Sequence, residues 1–254
     1  MTRTAFITGA SSGIGQALAR HYASQGYTLG LVARRGQRLT EFAQTLSCDV
    51  HTFVVDVRDR AQLHAAAEQF VNEVGQIDIV IANAGVSAGT LTECDEDFAV
   101  FKDIFDINVL AMVATFEPFV PLMKKQGHGK LVGIASVAGV RGLPGAGAYS
   151  ASKSAVATYC ESLRLELKPK GIDVVTIAPG YVKSEMTAHN PYSMPFLLEG
   201  DVFAKRAAKA IEAKRRYAVI PWQMAIVARL MKVLPAWLYD RLAMNAPRKP
   251  RREG

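Results

Sequence analysis

The chain has 254 residues, half of them hydrophobic and 21% charged, with 30 Lys/Arg against 23 Asp/Glu for a formal net charge of +7. Such a balance is that of a soluble globular protein, and the length suits one large α/β domain or two small ones. The cysteines, Cys48, Cys94 and Cys160, are odd in number, widely spaced and free of C-x-x-C, which excludes a disulfide framework and a cysteine zinc site.

The N-terminus begins directly on a strand pattern with no signal sequence, so a cytoplasmic location is expected. Thr4 to Thr8 is a short apolar strand, followed by Gly9-Ala-Ser-Ser-Gly13-Ile-Gly15 and a helical stretch from Gln16 to Gln25. A Gly-rich turn between strand and helix is a phosphate-binding element: glycine lets the backbone approach a pyrophosphate, and the open N–H groups of the helix N-terminus face it. The spacing is G-x-x-x-G-x-G rather than G-x-G-x-x-G. Tyr27 to Ala33 is a second strand, closing a βαβ unit. An NAD enzyme places an acidic residue at this strand end for the ribose 2′-OH. Here the chain reads Ala33-Arg34-Arg35, with no acid before Glu41. Two arginines suit a 2′-phosphate through charge-assisted bonds, which favours NADP(H); the alternative is a pair of solvated loop cations.

Val50 to Val57, which includes Asp56, is a third strand; Ala61 to Val74 is helical; Ile77 to Ala82 is a fourth, almost wholly apolar strand ended by Asn83-Ala84-Gly85. Apolar runs of this kind read as parallel strands buried on both faces. A long helical region spans Glu96 to Met123 with Asn108 inside an apolar stretch. A buried Asn needs partners, either as a structural tie or as part of a proton path. Lys130 to Ser136 is a fifth strand, Gly139 to Gly147 a loop, Ala148 to Lys168 a helix stopped by Pro169-Lys-Gly171, and Asp173 to Ala178 a sixth strand before Pro179-Gly180. Alternating strands and helices predict a Rossmann-type, doubly wound parallel sheet of about seven strands. The Gly9–Gly15 turn, Arg34–Arg35, Asp56, Asn83, Ser136 and Pro179–Gly180 all follow strand ends, and therefore share the rim on which such sheets bind ligands.

Tyr149 and Lys153 stand at i, i+4 on the helix after that rim, one above the other on a single face. A phenol titrates near 10, and bringing it to about 7 needs about 4 kcal/mol, which a neighbouring ammonium helps to supply. Ser136 ends the fifth strand with a hydroxyl suited to a carbonyl or alcohol oxygen.

Residues 185–201 carry two prolines and several apolar or aromatic side chains, as in a lid over an apolar substrate, with His189 as a polar lid residue and not a catalyst. Val137 to Pro144 forms another pocket wall. Val202 to Arg216 is a basic helix and Tyr217 to Pro221 a seventh strand, so residues 1–221 make the nucleotide-binding and catalytic domain and 222–254 an apolar, basic extension. Residues 203–254 hold 13 Lys/Arg against 3 Asp/Glu, a net of +10, whereas residues 1–202 are net −3. The longest uncharged run of this C-terminal region, Tyr217 to Ala228, is too short to span a bilayer. Trp222, Trp237, Tyr239 and the tail Arg248-Lys-Pro-Arg-Arg252 suit peripheral contact with an anionic membrane surface. Equally, the apolar residues can cover the core, the substrate pocket or an oligomer interface. Nucleic acid is not expected, because no reading motif accompanies the charge.

In order and spacing, Thr8-Gly-x-x-x-Gly13-Ile-Gly15, Asp56, Asn83-Ala-Gly85, Asn108, Ser136, Tyr149-x-x-x-Lys153 and Pro179-Gly180 resemble the short-chain dehydrogenase/reductase family, from Thr4 to about Thr187. The resemblance implies an NADP(H)-dependent oxidoreductase acting on a carbonyl or secondary alcohol without a metal. Tyr149 would be the general acid/base, Lys153 would lower its pKa and hold the nicotinamide ribose, and Ser136 would polarise the substrate oxygen. Asn108 would hold a water linking Lys153 to solvent. The implied cofactor site takes in Gly9, Ser11, Ser12, Gly13, Ile14 and Gly15; Arg34, Arg35, Asp56 and Val57; Asn83, Ala84 and Gly85; Tyr149 and Lys153; and Pro179, Gly180, Val182 and Ser184. Ser184 stands where the family usually has Thr, which keeps the hydroxyl for the nicotinamide carboxamide. A homodimer or homotetramer through the helices of Asn108 and Tyr149 is also implied. The competing reading is an NADP(H)-responsive regulatory protein whose basic C-terminus engages a membrane or another partner; the intact Ser136, Tyr149 and Lys153 favour the enzyme.

Overall fold

A computed structural model describes residues 2–188, 190 and 192–251, so the expectation for His189 falls outside the described residues. Seven short strands form: β1 (Thr4–Thr8), β2 (Thr28–Ala33), β3 (Val50–Val54), β4 (Ile79–Ala82), β5 (Gly129–Ile134), β6 (Ile172–Pro179) and β7 (Tyr217–Ile220), the five central ones buried as their apolar sequences require and the edge strands β3 and β7 only in part. They pair in the order β3-β2-β1-β4-β5-β6-β7, every neighbour parallel. Helices separate them: α1 (Gly13–Ser24), α2 (Gly36–Ala43), α3 (Arg60–Val74), α4 (Asp97–Phe105), α5 (Ala111–Phe116), α6 (Phe119–Gln126), α7 (Gly147–Leu167), α8 (Glu185–Ala188), α9 (Gly200–Glu212), α10 (Trp222–Val233) and α11 (Ala236–Ala243).

The helices cover both faces of the sheet. On one, Leu18 and Tyr22 of α1 and Phe203 and Ile211 of α9 pack over Ile7, Leu29 and Leu31. On the other, Phe70, Phe116, Phe119 and Leu163 pack over Phe6, Val80 and Leu131. Phe6 anchors that second layer, with its ring centre 4.9 Å from Phe119 and 5.6 Å from Phe70. The strand order reverses between β1 and β4, which places a crevice at their carboxyl ends.

Two elements differ from the sequence reading. The third strand ends at Val54, because the chain turns at once, with Asp59 N–H on the Asp56 carbonyl (2.9 Å). The helix expected over Glu96–Met123 is broken into α4, a π-helical turn at Asp106–Leu110, α5 and α6. Pro118, which lacks an N–H, precedes α6 and interrupts the ladder. The π turn carries Asn108, and such turns re-aim side chains at functional sites.

Candidate active site

Strand ends, the lid and the C-terminal segment enclose a cavity of about 850 Å³. At one end lies the glycine turn, where Gly9 (φ +70°) and Gly13 (φ +56°) adopt the left-handed region that favours glycine. A Cβ on Gly15 would lie 2.3 Å from the Gly9 carbonyl, so α1 begins tight against the turn. Ser12 makes no side-chain cap to α1, which leaves the first N–H groups of the helix open towards the cavity. The Asn83 amide donates to the carbonyls of Thr8 (3.0 Å) and Gly9 (3.3 Å), and the Thr8 hydroxyl accepts from the N–H groups of Asn83 and Ala84. Asn83 thus ties the turn to the central strands.

Beyond β2 the positive charge is larger than Arg34 and Arg35 alone. Arg35 donates to the Ser12 hydroxyl (2.6 Å) and to Glu185 (2.7 Å). Arg38, in the first turn of α2, donates to the other oxygen of Glu185 (2.6 Å). Glu185, held by two guanidiniums, has its carboxyl lowered by the Arg35 hydrogen bond first and by Arg38 in addition. Arg34 is exposed and lies 3.9 Å from Asp56. The Asp56 carboxylate is held chiefly by Arg58 (2.6 Å), which keeps it below the usual carboxylate range.

At the other end stand Ser136, after β5, and Tyr149, in the first turn of α7. Burial pushes the Tyr149 phenol up, opposed by a hydrogen bond with Ser136. The expected downward pull of Lys153 does not dominate here: its ammonium donates to the Ile134 carbonyl (2.8 Å), 5.9 Å from the Tyr149 ring centre. Burial lowers Lys153 itself to about 8. Asn108 is fully buried. Its Oδ1 accepts from Val86 N–H (2.8 Å), and its Nδ2 donates to the Val86 carbonyl and the Ser152 hydroxyl (both 3.0 Å). Ser152 passes the connection to the Tyr149 carbonyl (2.8 Å). The structural tie is therefore present, and Gly85 keeps the space between Asn108 and Lys153 clear of a side chain.

Of the residues singled out in the sequence, Ser11, Ser12, Ile14, Val57 and Ala84 line the same cavity as the glycines, the arginines, Asp56, Asn83 and Gly85. So do Ser136, Tyr149, Lys153, Pro179, Gly180, Val182 and Ser184. Gly15 and Asn108 are not on its wall and act from behind it. Met186, Tyr192 and Phe196, from the segment after β6, also line the cavity.

The C-terminal extension covers the pocket in part. Met224 and Ala228 of α10 pack on Val137, and Met224, Val227 and Met231 face the cavity. Arg141 fastens this cover, donating to the Met231 (3.1 Å) and Leu234 (3.0 Å) carbonyls with its guanidinium 4.1 Å over the Tyr239 ring. Trp222, Leu230, Val233 and Trp237 remain exposed on the outer side. Arg38 and Ser87 were not picked out by sequence reasoning, which had Arg141 only within a pocket wall and Lys249 only within a basic tail. A third arginine one turn past Arg35 was a usable signal for Arg38; nothing local marks the others.

Comparison with known proteins agrees with this architecture. A family model described as short chain dehydrogenase matches residues 3–193. An uncharacterised oxidoreductase of Myxococcus xanthus is 39% identical over 244 residues, 95% of this chain and 96% of that protein. Sulfoacetaldehyde reductase 2 of Chromohalobacter salexigens is 35% identical over 190 residues, 74% of this chain and 75% of the relative. A Burkholderia phymatum short chain dehydrogenase/reductase, solved in complex with NAD, superposes with a TM-score of 0.83 at 26% identity, over 99% of this chain and 98% of that one.

Proposed function

The chain belongs to the short-chain dehydrogenase family, and from that premise we propose that this oxidoreductase transfers a hydride between NADP(H) and a carbonyl or secondary alcohol of largely apolar body, with Tyr149 as general acid/base. The observation that carries the proposal is one continuous cavity with the glycine turn and uncapped α1 N-terminus at one end and Ser136 with Tyr149 at the other.

These residues fit a bound dinucleotide. The glycine turn and the α1 N–H groups would take the pyrophosphate, Arg34, Arg35 and Arg38 the 2′-phosphate, and Asp56 the adenine side. Lys153 would hold the nicotinamide ribose and Ser184 the carboxamide. When bound, the nicotinamide supplies or accepts the hydride. The side chains do the rest. Ser136 orients the substrate oxygen. Tyr149, kept neutral by burial, donates its proton to that oxygen in the reductive direction, and Lys153 favours the resulting phenolate. Asn108 would steady α7 and the water path behind Lys153. Met224, Val227 and Met231, with the lid aromatics, would exclude water.

Fluorescence titration with NADPH and NADH tests the cofactor. Wild type should prefer NADPH at least tenfold, and Arg34→Ala/Arg35→Ala should lose the preference; equal binding of both nucleotides by wild type rejects the phosphate reading. Turnover of simple ketones and aldehydes should fall by about 100-fold or more in Tyr149→Phe. Nucleotide binding with no Tyr149-dependent turnover would instead support a regulatory protein.

Two surface features bear on partners. Phe98, Phe101 and Leu110, on α4 and the π turn, and Leu165 of α7 are exposed, which supports a homodimer or homotetramer through those helices. Trp222, Leu230, Val233 and Trp237 support peripheral contact with an apolar or membrane surface. No described helix is long and apolar enough to cross a membrane. Trp222→Ser/Trp237→Ser should abolish binding to anionic liposomes; unchanged partitioning rejects the membrane contact.

A further inference from the structure

The chain does not leave the catalytic region at the end of α11. It folds back, and residues near its end lie in a slot between the loop after β4 and the loop before α7. Gly89 donates its N–H to the Pro250 carbonyl (2.8 Å), and a Cβ on Gly89 would lie 2.3 Å from the Lys249 carbonyl oxygen. On the other wall Gly145 (φ +69°) leaves the room that Arg248 occupies, since a Cβ there would be 3.2 Å from that of Arg248. Arg251 locks the tail, donating to Asp97 (2.8 and 3.1 Å) and to Glu96 (2.7 Å). Gly89, which has no room for a side chain, Gly145, turned left-handed and packed on Arg248, and a forked ion pair make a seat for this strap.

The strap inserts one cation into the cavity. Lys249 is half-buried and lines the pocket beside Ser136 and Tyr149. Its ammonium donates to the Ser87 hydroxyl (2.7 Å) and lies 5.5 Å from the Tyr149 ring centre. Among the described residues no carboxylate pairs with it, and burial lowers it to about 8. The other nearby cations are occupied: Lys153 by the Ile134 carbonyl, Arg141 by the carbonyls of Met231 and Leu234, and Arg251 by Glu96 and Asp97. A partly desolvated ammonium facing an apolar cavity without a counter-ion is a site for an anion from outside the chain.

We propose that Lys249, presented by the C-terminal strap, is a specificity-determining residue that binds an anionic oxygen group of the substrate, a carboxylate or its equivalent, next to the carbonyl that faces Tyr149. The inference rests on the oxidoreductase reading and narrows its substrate class to apolar carbonyl compounds with an anionic group close to the reacting carbon. Ser87 and Lys249 together offer a hydroxyl and an ammonium to that group.

The test uses the full chain and a matched pair of probes, benzoylformate and its methyl ester, which share the ketone and the aryl group and differ in charge. Calorimetric titration of wild type should show at least tenfold tighter binding of the acid. Lys249→Met should bind both alike, and Lys249→Arg should keep much of the preference. Gly89→Val, which leaves Lys249 in the sequence but closes its slot, should behave like Lys249→Met. The proposal is overturned if wild type does not prefer the acid, or if Lys249→Met retains the preference. Turnover of the ester with NADPH or NADH is followed in parallel. A charge preference without Tyr149-dependent turnover sinks the oxidoreductase reading and leaves the anion site standing. Turnover without the preference does the reverse.

Discussion

Glu185 stands where a cofactor phosphate is proposed to bind, gripped by Arg35 and Arg38 at 2.7 and 2.6 Å. Both guanidiniums are paired with this carboxylate, so an incoming 2′-phosphate competes with it for them, and Glu185 turns from partner into like-charged neighbour. Its carboxyl is held below the ordinary range, so the competition persists through neutral pH and ends only as the pH falls through that lowered value. Glu185→Gln should therefore tighten NADPH several-fold and leave NADH unchanged, read by titration at pH 7. A parallel loss for both nucleotides would mean instead that Glu185 serves to hold the lid. Arg34 and Arg35 were legible in the sequence because they close a βαβ unit. The contact to Glu185 was not, because it joins residues 150 positions apart.

The catalytic rim was legible at the level of elements, since alternating apolar strands and helices dictate a parallel sheet and a parallel sheet dictates where its loops gather. Two things escaped that reasoning. The π turn within residues 96–123 leaves no hydropathic trace, because an extra residue in one turn shifts the face of a helix without changing its composition. The role of Asn108 escaped for the same reason: its alternatives were separated only by the contacts it makes. It clamps both backbone groups of Val86 and the Ser152 hydroxyl, joining the loop after β4 to α7. Asn108→Ala removes the side-chain partner of the half-buried N–H and carbonyl of Val86, a loss of about 1–3 kcal/mol for each group that water does not reach. The variant should lose about 3 kcal/mol in urea unfolding. Loss of activity with an unchanged midpoint would refute the clamp and point to the water path alone.

Across the whole molecule, the uneven charge acquires a partly internal destination. Of the cations after residue 202, Arg248, Lys249 and Arg251 fold back on a body that is net negative up to that point. Composition alone suggested an external anion, and this part of the tail could be placed only through Gly89 and Gly145, more than 100 residues away. The closure depends on Arg251 with Glu96 and Asp97, and both carboxyls are lowered, Asp97 by Arg251 first and Glu96 by a backbone hydrogen bond first and Arg251 second. The sign follows from that direction. Carboxyls depressed in the folded chain hold the strap at every pH above their unfolded values, about 4, and release it as the pH falls through the depressed ones. Hydrogen-exchange protection of the Gly89 amide, which donates to the Pro250 carbonyl, corrected for intrinsic rate, should be high at pH 7 and fall below pH 4 while β1, β4 and β5 stay protected. Arg251→Gln should show the open tail already at pH 7, together with a weakened preference for the charged member of the probe pair. A Gly89 amide equally protected in that variant would mean that the glycine slot alone seats the strap.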